Sequence, residues 1–136
     1  MAQVVILSDV TSTDHEFGFS RSIGPHVLAE KARKAGFTCS VIDYFTRLTS
    51  LKEILASVIG PETIFFGISG TFLSVSAPSE IIAATHSNNY SGYLWFKEID
   101  ELQQFVSEVK TMIKNVGSNA PVVLGGSKAL FFAQDP

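Results

Sequence analysis

Thr63-Ile64-Phe65-Phe66-Gly67-Ile68-Ser69-Gly70-Thr71 decides the fold. An apolar run this short, closed by a glycine–serine turn, reads as a strand covered on both faces. The same pattern returns at Val122-Val123-Leu124-Gly125-Gly126-Ser127. In a parallel sheet the carboxyl ends of the strands share one edge, and ligands bind there. Glycines allow close backbone approach and serines add short hydroxyls. The two turns therefore predict a ligand edge without naming its ligand.

Working outward, strands and helices alternate. Val4-Val5-Ile6-Leu7 reads as a first buried strand. A polar stretch follows from Ser8 to Ser22, and Pro25 and Gly36 then bracket a helix. Val27, Leu28, Ala32 and Ala35 are expected to form its apolar face. Phe37 to Ile42 reads as a second strand ending at Asp43. Ser50-Leu51-Lys52-Glu53 has the spacing of a capping box. Leu51, Ile54, Leu55, Val58 and Ile59 continue at helical spacing until Gly60-Pro61. The third strand is expected over Thr63–Ser69. Ile99, Leu102, Phe105, Val106, Val109, Met112, Ile113 and Val116 recur at three and four, the mark of a long amphipathic helix. Asp100 and Glu101 near its start and Lys110 and Lys114 near its end suit the helix dipole. Pro121 to Leu124 reads as the fourth strand. The expected fold is one α/β domain over 1–136, a three-layer flavodoxin-like or Rossmann-like parallel sheet in order 2-1-3-4.

Two stretches depart from that regularity. The first loop is long, and 70–98 is longer still, against about 2–6 residues for a usual strand-to-helix loop. The second contains Tyr90, Tyr93, Trp95 and Phe96. These aromatics either pack on their own sheet or cover a flat ligand or partner. After Ser127, Lys128-Ala129-Leu130-Phe131-Phe132-Ala133 reads as the start of a further helix. A fifth strand would be expected after it, so the chain reads as a fragment, or as a domain that borrows packing. An uncharged fourth strand at the sheet edge, with Phe131 and Phe132 beyond it, predicts a homodimer, or aggregation, through that edge or the Phe131-Phe132 tail.

Composition bounds the function. Of 136 residues, 46% are apolar and 17% charged, enough for a core and against disorder. The net charge of −3 gives no footprint for nucleic acid or an anionic membrane. No apolar run approaches the roughly 18 residues of a membrane span. Met1-Ala2-Gln3 leads straight into the first strand rather than into a basic-then-apolar leader, and a cytoplasmic setting is expected. Cys39 is the single cysteine, which excludes an intramolecular disulfide and a multi-cysteine iron–sulfur site in this chain. The histidines, His15, His26 and His86, are scattered without i, i+4 pairing, so no metal site is predicted. Asp43 stands where dinucleotide folds place a ribose-binding carboxylate. With no G-x-G-x-x-G after the first strand, a cap or surface role is expected for it, and His26 is expected to be exposed. Asp9 and Lys128 are placed as in a phosphate-accepting signalling domain, although the Gly-Gly turn between them and the long insertion oppose that reading.

Gly67-Ile68-Ser69-Gly70 with Ser74 and Ser76, followed by Gly125-Gly126-Ser127, resembles cobalamin-binding Rossmann-like domains. Arg21-Ser22-Ile23-Gly24-Pro25, Leu28-Ala29, Arg33-Lys34-Ala35-Gly36-Phe37 and Val41-Ile42-Asp43 look more specifically like the amino-terminal domain of cobalamin-dependent radical SAM proteins. The resemblance implies cobalamin as cofactor. It also implies binding residues at Ser69, Gly70, Thr71, Ser74, Gly125, Gly126 and Ser127, with Thr13, His15 and Gly18 of the first loop beside them. The family's lower-ligand motif, D-x-H-x-x-G, is matched by Thr13-Asp14-His15-Glu16-Phe17-Gly18, where threonine replaces the leading aspartate. That carboxylate would orient the imidazole. His15 is accordingly read as a solvated loop histidine, with a cobalt-ligand role as the lesser alternative. The implied partner is a radical SAM core, which this chain lacks. The expected function is binding, with no catalysis by the chain alone. The alternative is a flavodoxin-like interaction or signalling domain that binds no cobalamin.

Overall fold

The structure is a computed structural model that describes residues 1–8, 23–45, 48–69 and 99–126. Four strands form one parallel sheet: β1 (Val4–Leu7), β2 (Cys39–Ile42), β3 (Phe65–Ser69) and β4 (Val122–Gly125). Their order is β2-β1-β3-β4, as expected from the alternating pattern. Three helices are described: α1 (Ile23–Lys34), α2 (Leu51–Val58) and α3 (Ile99–Asn115).

Alternation along each strand assigns the two faces. Val5, Leu7, Ile42, Phe66 and Ile68 pack with Leu51 and Leu55 of α2 and Leu102, Val109 and Ile113 of α3. Val122 and Leu124 join that core from β4. Val4 and Ile6 are also buried, but on the opposite side, where α1 packs against β1 and β2. This three-layer arrangement is what short strands without polar alternation require, since both faces must be covered.

Helix α1 turns a different face inward from the one expected. Pro25 and Ala29 are buried, whereas Val27 is 47% and Leu28 59% exposed. Small residues let the helix lie close to the sheet, and the larger apolar side chains point outward. Both α1 and α3 end in the same way. Gly36 N–H donates to Arg33 C=O and Phe37 N–H to Ala32 C=O. Gly117 N–H donates to Lys114 C=O and Ser118 N–H to Ile113 C=O. This paired closure needs a left-handed residue, which glycine supplies at φ 95° and 82°.

At α2, Ser50 precedes the helix but makes no side-chain cap bond, so the capping box read from Ser50 and Glu53 is not formed. Strands β2 and β3 start two residues later than expected, and Phe37 is 40% exposed instead of within β2. Thr63 lies just before β3 and serves another purpose. Its hydroxyl accepts from Gly60 N–H at 3.0 Å and donates to Ala2 C=O at 2.7 Å. The Ser118 hydroxyl in turn donates to Thr63 C=O. These bonds lock the amino-terminal edge of the sheet. Among the described residues, no helix is long and apolar enough to cross a membrane.

Candidate functional site

The parallel register carries the argument from fold to site. Leu7 is level with Ile42 and Ile68, and Ser69 is level with Gly125. Continuing by one residue brings Asp43, Ser8, Ser69 and Gly125 into a row across the carboxyl edge. Alternation turns the row toward the α1 side, because Leu7, Ile42 and Ile68 face the other way. Adjacent members stand about 4.8 Å apart, the strand spacing.

Ser69 and Gly125 are register partners on neighbouring strands, so the described ends of β3 and β4 lie side by side. Among the described residues, an added Cβ at Gly125 would meet nothing within 4 Å. Gly126 follows at φ 96°, a conformation that a side chain would strain. Gly67 has a different, internal reason. A Cβ there would come within 2.9 Å of Phe65 Cε1, so the glycine makes room for the Phe65 ring. Of the other expected binding residues, Thr13, His15, Gly18, Gly70, Thr71, Ser74 and Ser127 lie outside the described residues, as do Asp9, His86, Lys128 and the aromatic stretch from Tyr90 to Phe96.

The β1–β2 end of the row holds a cluster that sequence reading divided. Ser8 N–H donates to Ile42 C=O at 2.9 Å, continuing the ladder. Ser8 C=O then accepts from Phe45 N–H at 3.2 Å, which leaves Asp43 and Tyr44 as a bulge. Tyr44 takes φ 56° within it, a costly position for a bulky residue. The bulge presents Asp43 to α1. His26 Nε2, in the first turn of α1, stands 3.0 Å from both Asp43 Oδ1 and Asp43 Oδ2. The side chains are 35% and 19% exposed, so neither is the exposed histidine or surface carboxylate expected from sequence.

Ser8 was not anticipated as a site residue. Three polar residues are buried among those described: Ser8, Thr63 and Ser118. The hydroxyls of Thr63 and Ser118 are hydrogen-bonded. Ser8 Oγ, in a residue only 1% exposed, has no hydrogen-bond partner among the described residues. The available signal was positional: serine is the first polar residue after Val4-Val5-Ile6-Leu7, on the α1 side by alternation.

Cys39, expected in the core, is half-buried at the start of β2. Burial pushes its thiol pKa up, and the Arg33 guanidinium partly opposes the shift. No group of three or more metal-ligating side chains occurs among the described residues. Comparison with known proteins gave no match, whether to a protein-family model, a curated protein or a solved structure.

Proposed function

We propose that the chain is a cobalamin-binding or cobalamin-binding-like module of a radical SAM enzyme, working by binding and not by catalysis of its own. The observation that supports this most is the register pairing of Ser69 with Gly125. It sets a serine beside a glycine whose added Cβ would meet nothing within 4 Å among the described residues, which suits close approach of a flat or extended ligand group to the backbone. In this reading Ser69, Gly70, Thr71 and Ser74 hold the cofactor from the β3 side and Gly125, Gly126 and Ser127 from the β4 side. Thr13, His15 and Gly18 lie beside it, and His15 ligates cobalt only as the lesser alternative. Bound cobalamin would supply a cobalt centre for alkyl or radical chemistry. The cysteine-held iron–sulfur cluster of a radical SAM core would have to come from a partner domain, because this chain has one cysteine. A cytoplasmic setting belongs to the same proposal, as does homodimer formation through the β4 edge.

The test is retention of hydroxocobalamin by the purified chain after desalting. A stoichiometric cobalamin absorbance in the protein fraction is expected, and loss of all absorbance would overturn the reading. A second reading is an interaction domain that binds no cobalamin. It is favoured by Ile23, Val27 and Leu28, which are 76%, 47% and 59% exposed on α1.

A further inference from the structure

We infer that the outer edge of β4 is a self-complementary surface that takes a second copy of this chain, the two β4 strands pairing antiparallel about a twofold axis at Val123. The inference deepens the homodimer of the proposed reading. It rests on that β4-edge contact and is independent of the cofactor.

The register decides which backbone groups are available. Phe66 is level with Val122, and its N–H donates to Pro121 C=O. In a parallel ladder one residue bonds to the neighbours on either side of its level partner, so Pro121, Val123 and Gly125 turn their backbone groups toward β3. Val122 and Leu124 turn theirs away. Among the described residues, β4 is the last strand of the sheet and pairs with β3 alone. Its outer edge therefore presents the N–H and C=O groups of Val122 and Leu124. Val122–Gly125 carries no charged side chain, the usual protection of such an edge.

This set of groups is its own complement. In antiparallel pairing about Val123, Val122 faces the partner's Leu124, and Leu124 faces the partner's Val122. Each pair exchanges both of its N–H···O bonds. No other register uses all of the outward groups within the strand. Pro121 leaves the new ladder intact, because its missing N–H lies on the β3 side by the same alternation.

Val123 supports the same axis. Val122 and Leu124 join the core on the α3 side, so Val123 projects from the opposite face. There α1 packs on β1 and β2, and Val123 is 40% exposed. In the dimer the two valines form a non-hydrogen-bonded pair with Cα atoms about 4.5 Å apart, which brings their branched side chains into contact. The carboxyl edges of the two copies lie at opposite ends of the joined sheet.

The experiment is multi-angle light scattering of the full chain across a concentration series, with two variants. The chain is expected to pass from monomer to dimer, and Val123→Lys, which sets like charges opposite each other on the axis, to weaken the dimer by about tenfold or more. Val123→Cys in a Cys39→Ser background should oxidise to a disulfide-linked dimer, since the paired Cα distance lies within the disulfide range of about 4.4–6.8 Å. A chain that stays monomeric at millimolar concentration would overturn the inference, as would a dimer unchanged by Val123→Lys or a Val123→Cys variant that does not cross-link. Hydroxocobalamin retention by Val123→Lys, measured alongside, separates failure of this interface from failure of the cobalamin reading.

Discussion

His26 and Asp43 clasp α1 to the end of β2, with one imidazole nitrogen 3.0 Å from both carboxylate oxygens. The contact spans seventeen residues of sequence and fixes where the first helix begins relative to the sheet. A double-mutant cycle of His26→Ala and Asp43→Asn should return a coupling of about 0.5–1.5 kcal/mol, the range of an ordinary intramolecular hydrogen bond. Chemical denaturation of the four proteins measures it. Strict additivity would mean that the clasp contributes nothing.

Leu55 reports on the main core. It is 1% exposed and packs between α2 and the sheet with Leu7, Phe66 and Ile68. Leu55→Ala should lower unfolding free energy by about 2–5 kcal/mol, from lost burial together with the cavity left behind. Urea unfolding curves decide this, and a loss under about 1 kcal/mol would place Leu55 outside a close-packed core.

Thr63 reports on the opposite edge. Thr63→Val keeps the shape but removes the acceptor for Gly60 N–H and the donor to Ala2 C=O. Leaving buried polar groups unpaired costs about 1–3 kcal/mol each. The variant should therefore be clearly destabilised despite its added apolar character. An unchanged denaturation midpoint would contradict these hydrogen bonds.

Cys39 should alkylate slowly. Desolvation raises its thiol pKa above the usual 9.0, with Arg33 opposing, so less thiolate is present at neutral pH than in the unfolded chain. An acid whose folded pKa is raised holds its proton longer in the native state. Its contribution to stability is thus lost as pH climbs through the alkaline thiol range. Iodoacetamide kinetics on native and urea-unfolded chain provide the check, with the unfolded chain expected to react faster at equal pH.

The fold was legible because its signals are local and redundant. Apolar runs ending in glycine, the periodicity from Leu102 to Val116 and the glycines after α1 and α3 all point the same way. Less legible was which face of α1 turns inward. Val27 and Leu28 look like core residues, but the close approach of helix to sheet selects Pro25 and Ala29. That β3 and β4 are neighbours followed from the expected strand order, whereas the level pairing of Ser69 with Gly125 is a matter of register that strand order does not set. The His26–Asp43 clasp did not, because it depends on a bulge at Tyr44 that has no sequence signature: tyrosine is an unusual residue at positive φ. Ser8 escaped notice for a related reason. A lone serine after a strand is common, and only its burial without a partner distinguishes it.

Gly125 and Gly126 separate binding from folding. Gly125→Ala adds a methyl that meets nothing within 4 Å among the described residues, so the fold should be unaffected while close approach of a ligand is blocked. Gly126→Val should lose binding as well and, at φ 96°, cost about 1–2 kcal/mol in stability. Circular dichroism and hydroxocobalamin retention, measured on both variants, distinguish the two effects. Full retention by both, with the fold intact, would remove the β3–β4 turns from the site.

The most direct test of the central claim is a map of where cobalamin touches the chain. Amide NMR of the isotope-labelled protein, titrated with hydroxocobalamin, should show its largest shifts at Ser69, Gly125 and Gly126. Gly60, Thr63 and Ser118, at the other end of the strands, should stay in place. Shifts confined to that amino-terminal edge, or none anywhere on the sheet, would contradict the assignment of the β3–β4 carboxyl edge as the cofactor-binding surface.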